Sequence, residues 1–486
     1  MFGKGRVVLF LTELLKDWPC TVSGGELRTV VTGITEDSLR VKKGYIFVAR
    51  QGVYYDGASY IEKAIKQGAA AIVIDRTSLA EIPAETVGIV VPDCKMFLSH
   101  ASALLAGNPA QRLKVIAVTG TNGKTTVTHF IGQLLKSLGE KAAVIGTTGI
   151  FVDGVYNDYD GPQMTTLPSE YLHPLLKKCE KDGVSHIVLE ASSLGLSANR
   201  LDHCKIDIGI LLNVGTDHYE EHGGKSSYIN AKKRLIHMAE TMIVNQDDKQ
   251  CMEMAKNSTT PIIYFGTTTS ADVRVPKLKM NPTVQGHYNR MNALAAISAL
   301  LVLGYTLDEI VPHCNSLQLP EGRLQLVERD GVKVYIDYAH TPDALKAVLK
   351  TLSNSCYGKL ITVFGCGGQR DKGKRAEMGE LAVLYSSSVI VTSDNPRNED
   401  PLAIIRDIME GFGGECSAIE AVLDRKYAIR KAIFCAAPGD IVLIAGKGHE
   451  KTQHTADGLI PFSDFEEAKR ALFEKTFLDI KEMDID

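Results

Sequence analysis

VIAVTGTNGKTTVTHFIGQLL, residues 115–135, sets an apolar run, a glycine turn and an amphipathic segment end to end. Val115–Val118 reads as a buried strand. Beyond the turn, Val127, Phe130, Ile131, Leu134, Leu135 and Leu138 recur at the three- and four-residue spacing of one helix face. The turn itself, Thr119–Thr126, reads TGTNGKTT. A strand, a glycine turn and a helix N-terminus make an anion site, because Gly120 and Gly123 let backbone N–H groups approach phosphate oxygens and the helix dipole adds positive potential. Lys124 is placed to reach the terminal phosphates, and the Thr125 hydroxyl to meet a magnesium ion. The spacing, G-x-x-G-K-T, is shorter than the common G-x-x-x-x-G-K-[ST]; the strand before it and the helix after it favour a phosphate loop over a chance glycine turn.

Outward from this loop the same alternation continues. LKVIAVTG (113–120), AAVIGTTG (142–149), HIVLEASS (186–193), DIGILLNVG (207–215) and TMIVNQDD (241–248) are apolar runs separated by helical segments, as a parallel sheet covered on both faces requires. Before it, TVVTGI (29–34), YIFVA (45–49) and AAAIVID (69–75) alternate with the helix YIEKAIKQG (60–68), and a helical connector, DCKMFLSHASALLAGNP (93–109), follows. After a linker near LQLPEGRLQ (317–325), the strands KVYIDYA, KLITVFG, SSVIVTSD and DIVLIAGKG alternate with the helices ALKAVLKTL, PLAIIRDIMEGF and KYAIRKAIFCA, a Rossmann-like pattern. The expected fold class is α/β with three domains. These are a small α/β N-terminal domain (1–97), a central P-loop ATPase domain with a mostly parallel sheet (98–318) and a C-terminal Rossmann-like domain (319–486). A length of 486 residues agrees with more than one hydrophobic core.

Composition excludes several classes. With 44% apolar and 23% charged residues and a net charge of -4, no basic excess exists to neutralise a nucleic-acid backbone. The ten cysteines contain no C-x-x-C pair, which predicts reduced thiols in a cytoplasmic protein with neither structural zinc nor disulfides. The start, MFGKGRVVLFLTELLKDWP, is broken by Thr12 and Glu13 and reads as a short helix rather than a signal peptide; no apolar run is long enough to span a membrane.

Further polar groups fall where an α/β protein builds its ligand site, past the carboxyl ends of strands. Glu190 ends HIVLE, where a carboxylate is costly to bury without a cation, and magnesium on nucleotide phosphates is the simplest partner. Ser192 reads either as an anion contact or as a helix cap, and Arg200 either as an anion contact or as a solvated surface residue. His218 reads equally as a loop histidine, and Lys232 on its helix as an exposed lysine. TSDNPRNED (392–400) places Arg397 among three acids, with Pro396 just before it.

Taken together, these motifs resemble the Mur ligases almost end to end. The resemblance rests on DS-x-x-V-x-x-G-x-x-F-V-A (Asp37–Ala49), GTNGKTT, the pair Thr165 and Thr166, E-x-S-S…R (Glu190–Arg200), DH…HG (Asp217–Gly223) and Y-x-x-AK (Tyr228–Lys232). It continues through DYAHTPD (Asp337–Asp343), FGCGG-x-RDKGKR (Phe364–Arg375), DNPR (Asp394–Arg397) and AGKGHE (Ala445–Glu450). It implies ATP-dependent amide formation in peptidoglycan precursor synthesis. By that resemblance the γ-phosphate would pass to the D-glutamate carboxylate of UDP-MurNAc-L-Ala-D-Glu, and the amine of meso-diaminopimelate would displace phosphate from the acyl phosphate.

The same resemblance implies residue roles. Lys124, Glu190, His218 and Lys232 would be catalytic; Thr125, Glu190, His218 and Lys232 would surround magnesium, with Lys232 carbamylated. ATP would be held by Gly120, Thr121, Asn122, Gly123, Lys124, Thr125, Thr126, Asn292 (adenine), Arg323 and Asp337 (ribose), between the second and third domains. Ser38, Thr165, Thr166, Ser192 and Arg200 would hold the nucleotide-dipeptide in a UDP-sugar-binding first domain and its border. Arg370, Asp394, Asn395, Pro396, Arg397, Gly446 and Glu450 would hold the amino acid in the third. Asp394 and Asn395 read on their own as shaping the turn before Pro396. The family's usual residues are replaced by Leu39, Leu194, Ala198 and Gln369. A monomer acting on small molecules is implied, with no nucleic-acid or membrane partner. The alternatives are a family member adding L-lysine or using another carboxylate acceptor, a folylpolyglutamate-synthase-like ligase, and a catalytically silent nucleotide-binding scaffold.

Overall fold

The computed structural model describes residues 9–52, 56–217, 219–284, 286–412 and 419–483. Its main sheets are three, each built from one stretch of the chain. The first runs in the order Thr21–Ser23, Val87–Val91, Ala71–Asp75, Tyr45–Val48, Gly33–Thr35, parallel except at the Thr21–Ser23 edge. TVVTGI, expected as one strand, is split: Val30–Val31 pairs instead with Leu9–Phe10, and Gly33–Thr35 joins the sheet. The opening segment holds a single helical turn, Leu11–Leu14, with both leucines in the core; residues 1–8 lie outside the described residues.

The central sheet has eight strands. Its parallel body orders Ala142–Gly146, His186–Glu190, Lys114–Thr119, Ile206–Leu211, Ala239–Asn245 and Ile262–Phe265, and an antiparallel hairpin, Gly149–Val152 and Val155–Tyr156, extends one edge. The helix Lys124–Ser137 buries Val127, Phe130, Ile131, Leu134 and Leu135 against it, together with the helix His287–Val302. Burial of both faces of the central strands explains why they read as unbroken apolar runs. The third sheet orders Gln325–Arg329, Val332–Asp337, Ile441–Ala445, Leu360–Phe364, Ser388–Thr392 and Ile419–Val422, parallel after its first antiparallel pair.

Two seams join these units. The connector helix Cys94–Ala106, capped by Asp93 and closed by Gly107 in the left-handed region (φ 78°), packs on the helix Ser169–Lys181. Between the second and third sheets, the strand ends of both open into one cleft.

Candidate active site

Gly123 is the N-cap of the helix Lys124–Ser137 and has φ 91°. A Cβ there would meet Asn292 Oδ1 at 2.5 Å, so glycine is required both by conformation and by the close approach of the helix His287–Val302. The loop is braced by Asn213, whose Oδ1 accepts from Asn122 N–H at 2.8 Å and whose amide donates to Asn122 O at 2.9 Å.

Two lysines converge on this loop. Lys124 Nζ donates to Gly120 O (2.9 Å) and Thr121 O (3.0 Å), and Lys232 Nζ donates to the same Gly120 carbonyl at 2.8 Å. Lys232 is buried and lies 4.6 Å over the Tyr228 ring, which rules out the exposed-lysine reading. Burial lowers the pKa of Lys124; burial, then the neighbouring Lys124 charge, lowers that of Lys232 well below the usual ammonium range.

Glu190 is buried at its strand end and accepts from Thr147 N–H (2.8 Å) and Thr147 Oγ1 (3.0 Å). Its carboxylate fills the space where a Cβ on Gly146 would stand, 2.1 Å from Oε1. Thr125 Oγ1, Glu190 and Asp217 line the cleft near the loop as hard oxygen donors of the type magnesium takes. Among the described residues no three His, Cys, Asp or Glu side chains group closely enough to hold a metal alone. A nucleotide-borne magnesium, which brings phosphate and water ligands, fits this sparse donor set. His218, expected beside these groups, lies outside the described residues.

The remaining expected residues divide among adjoining hollows. Asn122, Gly123, Thr126, Asn292, Arg323 and Asp337 line a cleft of about 450 Å³ between the second and third sheets. Both Asp337 oxygens accept backbone N–H groups, from Leu324 (2.7 Å) and Ala339 (2.8 Å), and burial raises its pKa. Arg323 lies over the Tyr338 ring and donates to Thr125 Oγ1 at 3.3 Å, tying the third unit to the phosphate loop. Thr165, Thr166, Ser192, Arg200 and Lys232 line a second hollow with Glu450. Ser192 is indeed the helix cap, accepting from Gly195 N–H, and also meets Thr166 Oγ1 at 3.0 Å. Arg200 is held inward on Thr166 O at 2.7 Å, so its solvated reading is corrected. Ser38 lies apart, in a depression with Leu39 and Arg50 on the first unit.

Arg370, Asp394, Asn395, Arg397, Gly446 and Glu450 line the main cleft opposite the phosphate loop. Arg397 has φ 55°, donates to Gly368 O at 2.7 Å, and has its pKa lowered by burial and by Arg370. Pro396 shapes the turn behind it, its carbonyl against Gly368. Arg370 crosses the cleft to Glu221 (2.6 Å). Gln369 also has a left-handed backbone (φ 52°), with its N–H on Glu399, a carboxylate clamped by the buried Arg375. Leu39 and Leu194 are exposed, and Ala198 is only the C-cap of the helix Ser193–Ser197.

Sequence reasoning did not single out Asp217, Tyr228, His340 or Lys447. Asp217 and Tyr228 lie inside motifs quoted for other members; His340 is half-buried at the cleft, and desolvation, then Lys374, pushes its pKa down to about 4.

A three-unit α/β chain whose glycine loop faces, across a domain border, a cleft lined by carboxylates and arginines has the design of an ATP-dependent amide ligase. The chain belongs to the Mur ligase family: the family's catalytic, middle and glutamate ligase domain models match residues 30–104, 118–300 and 322–448. It is therefore an ATP-dependent ligase forming amide bonds, working on small molecules and a nucleotide. It is 34% identical to UDP-N-acetylmuramoyl-L-alanyl-D-glutamate--2,6-diaminopimelate ligase 2 of Clostridium acetobutylicum, over 94% of this chain and 98% of that one. The enzyme of that name from Caldanaerobacter subterraneus is also 34% identical, over 96% and 99%. A solved structure of such a 2,6-diaminopimelate ligase superposes with a TM-score of 0.65 at 31% identity, covering 97% of this chain and all of that one (100%). A folylpolyglutamate synthase from Mycobacterium tuberculosis, solved with ADP and AMPPCP, shares the fold at 17% identity over 72% of this chain and 92% of its own, with a TM-score of 0.60. Among the described residues no helix is long and apolar enough to cross a membrane.

Proposed function

We propose that the protein adds meso-diaminopimelate to the D-glutamate of UDP-MurNAc-L-Ala-D-Glu. The observation that carries this reading is Arg397, a half-buried guanidinium held in the same cleft as two acids, Asp394 and Glu450. Meso-diaminopimelate ends in a carboxylate and an ammonium, whereas L-lysine ends in an ammonium alone. A planar guanidinium grips a carboxylate and repels a lone ammonium. The names of the relatives point to the same amino acid.

In this reading Lys124, with the loop N–H groups of Gly120–Thr126, holds the terminal phosphates of ATP. Asn292 takes the adenine, and Asp337 and Arg323 the ribose side. Thr165, Thr166, Ser192 and Arg200 present the D-glutamate carboxylate, and Ser38 the far end of the nucleotide. The carboxylate oxygen forms a bond to the γ-phosphorus as the bond to the β-phosphate oxygen breaks. The amine then attacks the acyl carbon, phosphate leaves, and the amine proton passes to solvent or a cleft base. Positioning and charge neutralisation carry most of such a reaction.

Magnesium, when bound with the nucleotide, neutralises charge on the phosphate oxygens. Thr125, Glu190, His218 and Lys232 are its proposed protein ligands. Lys232 qualifies only as a carbamate, formed when its nitrogen bonds to carbon dioxide and loses a proton; the burial that favours its neutral amine supports that chemistry. The reading takes the enzyme to act as a cytoplasmic monomer.

The test is to incubate the protein with ATP, magnesium and UDP-MurNAc-L-Ala-D-Glu, offer meso-diaminopimelate, L-lysine and L-ornithine separately, and weigh the products. A product with meso-diaminopimelate only is expected. A lysine product instead would overturn the assignment.

A further inference from the structure

Lys447, in the turn after the strand Ile441–Ala445, is a fully buried lysine with no place in the mechanism above. Its Nζ donates to Asn395 Oδ1 at 2.8 Å and to Glu450 Oε2 at 2.7 Å. Burying an ammonium costs several kcal/mol unless its charge and donors are met, so the location asks for a reason beyond space filling.

The bonds around it form a closed set. Asn395 Oδ1 accepts from both Lys447 Nζ and the His454 N–H (2.9 Å). Two donors on that oxygen fix the amide orientation, and Nδ2 is turned to Glu450 Oε2 at 2.8 Å. Oε2 of Glu450 thus takes two donors, which pins the carboxylate and leaves Oε1 for the cleft. The same clamp reaches Arg397, since the His454 carbonyl accepts the Arg397 N–H at 2.9 Å and holds the residue in its left-handed conformation. Gln453 Nε2 secures the Asp394 carbonyl at 2.7 Å. Asp394 Oδ2 is buried without a hydrogen-bond partner among the described residues. One ammonium therefore lies under the groups that face the amino acid's far end.

We propose that Lys447 is a positioning residue for amino-acid recognition: through Asn395 and Glu450 it fixes the acidic side of the subsite against Arg397. This rests on the reading of the cleft as the meso-diaminopimelate site. Lys447 touches neither substrate nor nucleotide. Its effect is confined to how the two partners are held, with Glu450 kept as an oriented acceptor rather than a free carboxylate turning toward solvent.

The test is steady-state kinetics on Lys447→Met, which keeps length and apolar volume and removes both donors and the charge. KM for meso-diaminopimelate is expected to rise about tenfold or more, as loss of charged hydrogen bonds predicts, with kcat and the KM values for ATP and the nucleotide-dipeptide nearly unchanged. A merely structural role would lower kcat through lost active protein and leave every KM alone, overturning the proposal. If Lys447→Met does not accumulate as folded protein, Lys447→Gln, which keeps an uncharged amide donor group, is read in the same assay and should raise the same KM less.

A second arm places Glu450→Gln alone and together with Lys447→Met. Action through Glu450 predicts that the double variant is little worse than Glu450→Gln; fully additive losses would show that Lys447 acts by another route. Arg397→Ala separates the layers. If it raises the meso-diaminopimelate KM while Lys447→Met does not, only the positioning role fails. If it changes nothing, the reading of the cleft fails with it.

Discussion

Arg397 shows how much a single residue's setting matters. Its left-handed backbone is uncommon outside glycine and asparagine, and it is stabilised here by the His454 carbonyl and by a guanidinium bond to Gly368 O. Arg397→Ala removes the carboxylate partner and leaves the phosphate loop untouched. The expected outcome is a loss of about 1.5–3 kcal/mol in meso-diaminopimelate binding, roughly ten- to a hundredfold in KM, with ATP affinity unchanged by calorimetry. Retained selectivity over L-lysine would count against the assignment. Lys232 gives the second prediction at this scale. Lys232→Ala should lower turnover by about a hundredfold or more, as removal of a preorganised charged group at a reaction centre does. Turnover equal to that of the parent in a phosphate-release assay would contradict its role.

Strands and their ends explain what was legible in the sequence. Lys114–Thr119 and His186–Glu190 are apolar because both faces of the sheet are covered, so period and composition marked them and placed Glu190 and the loop after Thr119 at the ligand edge. The edge hairpin Gly149–Tyr156 and the hairpin Thr452–Pro461 were not visible. They are short, and apart from the buried Ile150 their residues are half-buried or exposed, so no extended hydrophobic pattern marks them. Lys447 stayed hidden for a related reason: a lysine reads as solvated until the chain 52 residues earlier brings Asn395 to it. Gly146 tests the strand-end geometry directly. The methyl group of Gly146→Ala would sit where the Glu190 carboxylate now lies, at the end of an otherwise rigid strand. The expected result is a fall in kcat of about tenfold or more with only a modest drop in melting temperature. An equal activity in the folded variant would show that Glu190 is not held for catalysis.

At the scale of the whole molecule, the first seam carries two buried titratable groups with opposite linkage on one helix, Ser169–Lys181. Glu170 reaches into the first unit, accepting from Thr35 Oγ1 (2.8 Å), Glu36 N–H (3.2 Å) and Arg40 Nη1 (3.2 Å), and burial pushes its pKa up to about 7. His173, one turn on, is completely buried, and burial followed by the His203 charge brings its pKa down to about 3. His203 and His100 beside Trp18 are lowered in the same direction, chiefly by burial, with Asp202, itself paired to Arg234, opposing this at His203.

The signs follow from proton counts. Glu170 binds its proton more tightly folded than unfolded, so it makes stability fall as pH rises from about 4.5 to about 7, by about 3 kcal/mol in all. His173 binds its proton less tightly when folded, so its neutral form stabilises above pH 6.5 and that contribution is lost as pH falls from there toward 3. Between pH 4.5 and 6.5 the two slopes oppose, each about 1.4 kcal/mol per pH unit. Removing one should expose the other. Relative to the parent, Glu170→Gln should make stability rise more steeply with pH across that window, and His173→Leu should tilt it the other way. Trp18 is the only tryptophan in the chain and stacks on His100 at this seam, so its fluorescence during denaturant unfolding reads the change where it arises. Parallel pH profiles for the parent and both variants would mean that the seam does not hold these groups in the protonation states their burial imposes.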